Sequence, residues 1–265
     1  MSSRAEEKEA RRAERLEREA AEARRERARR RLRMLALALG VAAVVVVAAI
    51  VVSRSSDPGP SAGERDASGL VGAAETAAML RGIPQDGTAL GDRNAPVTLT
   101  EYADLQCPFC REYALGVLPD LVERYVRTGK VRLELRLLRF VGPDSAPAAQ
   151  AAVVAADRGR YWNFTDLFYR NQGEENSGYV DDAFLGKLAA AIPGLTPAAI
   201  RDGASAPGIE RRLAGFEREA ATTGVSSTPT FRLARRGQAA KPFAPAELET
   251  AAFAAAIDPL LPASK

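Results

Sequence analysis

The chain has 265 residues, 37 Lys or Arg against 34 Asp or Glu, two cysteines and no histidine, a length that accommodates one ordinary domain plus accessory segments. Without histidine, Ser-His and Cys-His catalysis and His-based metal sites are excluded. Two cysteines alone neither fill a tetrahedral zinc site nor hold an iron–sulfur cluster, so no metal or cofactor is expected beyond a redox-active cysteine pair.

Residues 1–33 carry 13 of the basic residues against 8 Glu, which leaves 24 basic and 26 acidic residues for the remainder; no nucleic-acid partner is expected. This segment lacks Gly and Pro and places Glu7 before Arg11, Glu14 before Arg18 and Glu26 before Arg30, a spacing that predicts an exposed, charged helix. Residues 34–52, MLALALGVAAVVVVAAIVV, contain no charge. As a helix they reach ~28 Å, the thickness of a bilayer's hydrocarbon, and predict a single transmembrane helix. A cleaved signal peptide is the alternative, but its apolar region is ~7–15 residues long and follows a short basic start, whereas 33 residues precede this one. Arg24, Arg25, Arg27, Arg29, Arg30, Arg31 and Arg33 precede the span and only Arg54 and Arg65 follow closely, which orients the N-terminus to the cytoplasm and the remainder outside. Residues 53–81 read as a linker, rich in Ser, Gly and Pro to residue 68 and with a short helical patch at 73–81.

Residues 82–265 read as one α/β domain. Turn chemistry at 82–96 leads to a strand at 97–102, a helix at 108–128, a Gly129-Lys130 turn and a strand at 131–138, which together make a βαβ unit. A helical block follows, inserted at about 143–222. A strand at 230–234, a hairpin turn at 235–241 and a closing helix at 245–257 complete the pattern.

The chemistry centres on Cys107-Pro108-Phe109-Cys110, where the first strand hands over to its helix. Unpaired amides and the helix dipole favour a thiolate at Cys107, and Pro108 suits the first helical position because its missing N–H is not needed there. A merely structural pair is the other reading. A disulfide closing so short a loop stabilises little, whereas an easily exchanged one is suited to carrying electrons. Tyr161, Trp162, Phe164, Phe168 and Tyr169 are expected to pack the helical block, Asp181-Asp182 and Glu174-Glu175 to cap or decorate loops, and the Asn163-Phe164-Thr165 acceptor pattern to be buried.

APVTLTEYADLQCPFC, GKVRLELRLL and SSTPTF, in this order and separated by a helical block, resemble the DsbA-like branch of the thioredoxin superfamily over about residues 82–257. The resemblance implies a thioredoxin-like fold with an inserted helical block. It implies that Cys107 is the exposed nucleophile, Cys110 the buried resolving thiol and Pro229 a cis-proline facing them, with Thr228 offering backbone groups to an extended substrate. Glu101, six residues before Cys107, falls where the superfamily keeps a buried acid that relays the proton of Cys110. Pro108 and Phe109 tune the site. Strongly oxidising members have His where Phe109 stands, so a milder oxidant is expected, between roughly −120 and −270 mV. Asp104 pushes the Cys107 pKa up if its side chain turns that way, and Arg111 offsets it; a solvated charge next to a helix start is the commoner situation for both.

The function expected is that of an extracytoplasmic, membrane-anchored thiol–disulfide oxidoreductase. Its partners would be reduced or unfolded exported proteins, a membrane redox protein that recycles the pair, and the bilayer through the anchor. A dithiol oxidase is favoured; a reductase or isomerase fed by a membrane electron donor, and a redox-inert peptide-binding module, remain as alternatives.

Overall fold

The computed structural model describes residues 69–262. The charged segment 1–33, the apolar span 34–52 and the linker to residue 68 lie outside the described residues; among the described residues no helix is long and apolar enough to cross a membrane.

A six-stranded sheet has the order β1-β2-β4-β3-β5-β6, formed by β1 (Gln85–Asp86), β2 (Ala89–Leu90), β3 (Val97–Ala103), β4 (Val131–Leu137), β5 (Thr230–Arg235) and β6 (Lys241–Phe243). β3 runs parallel to β4, from Val97 opposite Val131 to Ala103 opposite Leu137, and antiparallel to β5 on its other side. Flanked on both edges and buried along nearly its whole length, β3 is the axis of the fold. In β4, Val131, Leu133, Leu135 and Leu137 face the core, while Arg132, Glu134 and Arg136 form a ladder of ion pairs on the other face. The hairpin β1–β2 joins the edge through β2–β4 pairing. Residues 82–96, which the pattern marked only as turns, thus contribute two strands too short for alternation to reveal.

Between β3 and β4 the continuous helix expected at 108–128 is three pieces: α2 (Pro108–Gly116), α3 (Leu118–Leu121) and a wider turn at Val122–Val126, where Arg127 donates to the Val122 carbonyl five residues back. Pro119 has no N–H for the carbonyl four residues earlier, and Gly116 holds a helix weakly, so the axis breaks between them.

The inserted block comprises α4 (Ser145–Ala156), α5 (Tyr161–Arg170), α6 (Asp182–Ala190), α7 (Pro197–Ala204) and α8 (Pro207–Thr222). Alanines make α4 narrow, and α5, α7 and α8 all pack on it, burying Ala148, Ala149, Ala151, Ala152 and Val153. Gly203 of α7 lies so close that a Cβ there would meet Val154 at 2.9 Å. Tyr161, Trp162, Phe164, Phe168 and Tyr169 are buried, as is Thr165 of the acceptor pattern, and Asp181 caps α6 by accepting from the Phe184 amide. The closing helix α9 (Thr250–Ile257) starts five residues later than the pattern suggests, pinned where the Thr250 hydroxyl donates to Asp120 of α3. It packs Phe253 against Tyr113, Phe231 and Phe243.

The domain also begins earlier than Gly82. Residues assigned to the linker form α1 (Ala73–Leu80), which buries Thr76 and Leu80 and packs on α5.

Candidate active site

Strand β3 ends at Ala103 and α2 starts at Pro108, so Cys107 occupies the cap position, with extended backbone (φ −72°, ψ 123°) and Pro108 in the first turn. The Cys110 amide donates to Cys107 Sγ at 3.4 Å. On the other side, the Cys107 thiol lies 3.4 Å from the Thr228 carbonyl oxygen, next to the cis Thr228-Pro229 bond. The chain thus brings a helix N-terminus and a loop 121 residues later against one sulfur. Both cysteines are free thiols.

Cys107, implied to be exposed, keeps only 4% of its surface because the Thr228 carbonyl lies over its sulfur; Cys110 keeps none. Pairing with the Cys110 thiol lowers the Cys107 pKa first, against the cost of burial; Thr228 and the amides of Cys110 and Phe109 lower it further, from 9.0 to about 6. Cys110 moves the other way. Burial raises it well above 9.0, and its pairing with Cys107 and the Glu101 charge add to the effect. Glu101, on β3, is 5% exposed and its Oε1 has no hydrogen-bond partner; burial first, then the Cys107 charge, push its carboxyl well above the usual range. The arrangement favours a thiolate at Cys107 and a protonated thiol at Cys110, and biases the Glu101 carboxyl toward its protonated form.

Asp104 is buried rather than solvated. Its buried oxygens accept from the amides of Gln106 (2.8 Å), Phe140 (2.7 Å) and Val141 (3.0 Å), fixing the loop before the cysteine to the loop after β4. Arg111 donates to the Tyr169 carbonyl at 3.0 Å and is absent from the interactions that set the Cys107 pKa. Phe109 is 60% exposed and, with Ser227, Pro229, Phe231, Phe243 and Leu248, lines an apolar cavity of about 340 Å³ beside the cis-proline. A larger hollow of about 760 Å³, bordered by Gly82, Asp92, Arg93 and Arg132, contains none of these residues.

Nothing in the sequence pattern marks the residues that brace the loop 104–107 from the helical block. The Tyr169 hydroxyl donates to the Asp104 carbonyl, the Gln172 amide donates to the carbonyls of Leu105 and Cys107, and the Gln106 side chain bonds both Tyr179 and Asn176. All lie more than 60 residues away in the chain, and no local pattern marks such partners.

The thioredoxin family model matches residues 84–251. A probable disulfide bond formation protein D of Bacillus cereus is 36% identical over 99 residues, covering 37% of this chain and 46% of that protein, so the chain spans about half the length of the curated relative it matches. Among solved structures, oxidised BdbD of Bacillus subtilis superposes with a TM-score of 0.58 at 19% identity, over 67% of this chain and 96% of that one. Wolbachia pipientis alpha-DsbA1 superposes with a TM-score of 0.56 at 23% identity, over 68% and 92%. These likenesses show a shared fold, and the match of the family model over most of the chain carries the assignment: the protein belongs to the thioredoxin family.

Proposed function

We propose that the chain is an extracytoplasmic thiol–disulfide oxidoreductase that works as a dithiol oxidase through Cys107 and Cys110. The observation that carries this reading is the opposed pair of thiol acidities, Cys107 lowered to about 6 and Cys110 raised, at the start of one helix. Stabilising the Cys107 thiolate favours the reduced pair, so the oxidised pair readily accepts electrons. A value near 6 lies between the ~3.5 of a strongly oxidising site and the ~7 of thioredoxin, which supports an oxidant of middling strength and fits Phe109 in place of histidine.

In the oxidase direction a substrate thiolate attacks Cys107 Sγ, the Cys107–Cys110 bond breaks, and Cys110 leaves with its electron pair. Glu101, buried on the strand beneath and biased toward its protonated form, supplies the proton that Cys110 takes up. The substrate's second thiolate then attacks its own sulfur in the mixed disulfide and expels Cys107, a good leaving group because its thiolate is stabilised. Two electrons pass to the pair, which is left as a Cys107 thiolate and a Cys110 thiol; the protons released as the substrate thiols ionise go to solvent, one of them returning to Glu101, and a membrane redox partner removes the electrons. The apolar cavity beside Phe109 and Pro229 suits the hydrophobic side chains of an unfolded substrate, whose backbone would lie along Thr228. Disulfide bond formation protein D of Bacillus cereus is a relative named for the same process. Residues 34–52 would hold the protein in the membrane with the domain outside.

The test is reoxidation of a reduced, unfolded substrate by the purified chain. Replacing Cys107→Ser is expected to abolish turnover, and Cys110→Ala to accumulate mixed disulfides that run as a reducible band. Undiminished turnover in the Cys107 variant would sink the mechanism.

A further inference from the structure

Gln172 lies two residues beyond the end of α5, and its side-chain amide donates to the Leu105 carbonyl at 2.7 Å and the Cys107 carbonyl at 3.2 Å. We infer that Gln172 is a positioning residue for the nucleophile, a donor sent from the helical block to hold the cap residue Cys107 in the geometry that aims its sulfur at the Cys110 amide. The inference rests on the reading of Cys107 as the reactive thiol.

The last turn of α5 leaves Gln172 little freedom. The Asn171 side chain donates to the carbonyls of Leu167 (2.8 Å) and Val71 (2.9 Å) and accepts from the Val71 amide (2.9 Å). Arg111 of α2 donates to the Tyr169 carbonyl one turn earlier. A side chain projecting from so fixed a point places its donor with little entropic cost.

The bond has two consequences for the sulfur. First, the Leu105 and Cys107 carbonyls bracket the turn into α2, and holding both fixes the extended backbone of Cys107. That backbone is what sets Sγ over the Cys110 amide at 3.4 Å. Other braces on this loop, from Tyr169 and from Tyr179 and Asn176, hold Asp104 and Gln106 instead. Among the described residues the Cys107 carbonyl otherwise accepts only the Arg111 amide of its own helix, at 3.2 Å. Second, that carbonyl oxygen carries partial negative charge within the same residue as the thiolate. A donor bonded to it withdraws some of that charge and relieves the repulsion.

The measurement is the pH dependence of Cys107 alkylation by iodoacetamide in the reduced full chain in detergent, with the modified residue located by mass spectrometry. Gln172→Met keeps the reach of the side chain without a donor, and Gln172→Glu keeps it with an acceptor only. Loss of one hydrogen bond to the site corresponds to a rise of about half to one pH unit in the midpoint, so alkylation at pH 5.5 is expected to slow about three- to tenfold in the Met variant, and further in the Glu variant. A purely structural role would lower the melting temperature and leave the midpoint unmoved. Midpoints in both variants equal to the parent's would overturn the inference while sparing the nucleophile reading. A parent midpoint at the ordinary thiol value near 8.5 would overturn the nucleophile reading itself, and the inference with it.

Discussion

Glu101 illustrates how one buried side chain links stability to reactivity. Its folded pKa stands above the ordinary 4.5, so the folded state holds the proton over a range in which the unfolded chain has released it. The stability linked to that proton is fully present below 4.5 and is lost as the pH rises through the raised folded value. Glu101→Gln, which cannot ionise, is therefore expected to be more stable than the parent to denaturant at pH 8, with the difference closing toward pH 4.5. The same variant should form mixed disulfides with a reduced substrate more slowly, because Cys110 then leaves without a proton donor; denaturation curves at two pH values and the rate at which the mixed disulfide appears check both. The cysteines stood out in the sequence because they lie where a strand hands over to a helix, whereas Pro229 and Glu101 were marked only by the resemblance to a known family. The burial of Asp104 was not legible: offset says where a residue is along the chain, not which distant amides its oxygens meet, and here they meet Phe140 and Val141.

At the scale of elements, long apolar periodicity was readable and interruptions were not. The strands at 97–103 and 131–137 and the Ala-rich block emerge from pattern alone, since burial imposes period 2 on one and small side chains on the other. The break in the α2–α3 connection and the two-residue strands β1 and β2 depend on single residues and on pairing with β4, which local periodicity does not encode. The junction of α1 with α5 is another contact of this kind. There the Thr76 hydroxyl donates to Asp166 Oδ2, which also takes the Arg170 guanidinium at 2.8 Å, while Oδ1 has no partner. Burial dominates at Asp166 and raises its pKa despite both partners. Thr76→Val preserves shape and removes one of two supports from a carboxyl that is already short of partners. It is expected to cost about 1–3 kcal/mol in a denaturant titration, with alkylation of Cys107 unchanged.

For the molecule as a whole, the family-matched segment 84–251 leaves α1 outside, yet α1 is part of the folded body. A chain beginning at Gly82 would lose the burial of Leu70 and Leu80, roughly 3–6 kcal/mol, and the support of Asp166. A chain beginning ahead of Gly69 should retain the parent's denaturation midpoint, and one beginning at Gly82 should unfold at distinctly lower denaturant. Composition hid this boundary because the helix is short and half of it faces solvent.

The grip of Asn171 on Val71 sits one residue from the grip of Gln172 on Cys107. Two neighbouring side chains at one helix end thus tie the start of the described chain and the backbone of the nucleophile to the same point, so that slack in one is felt in the other.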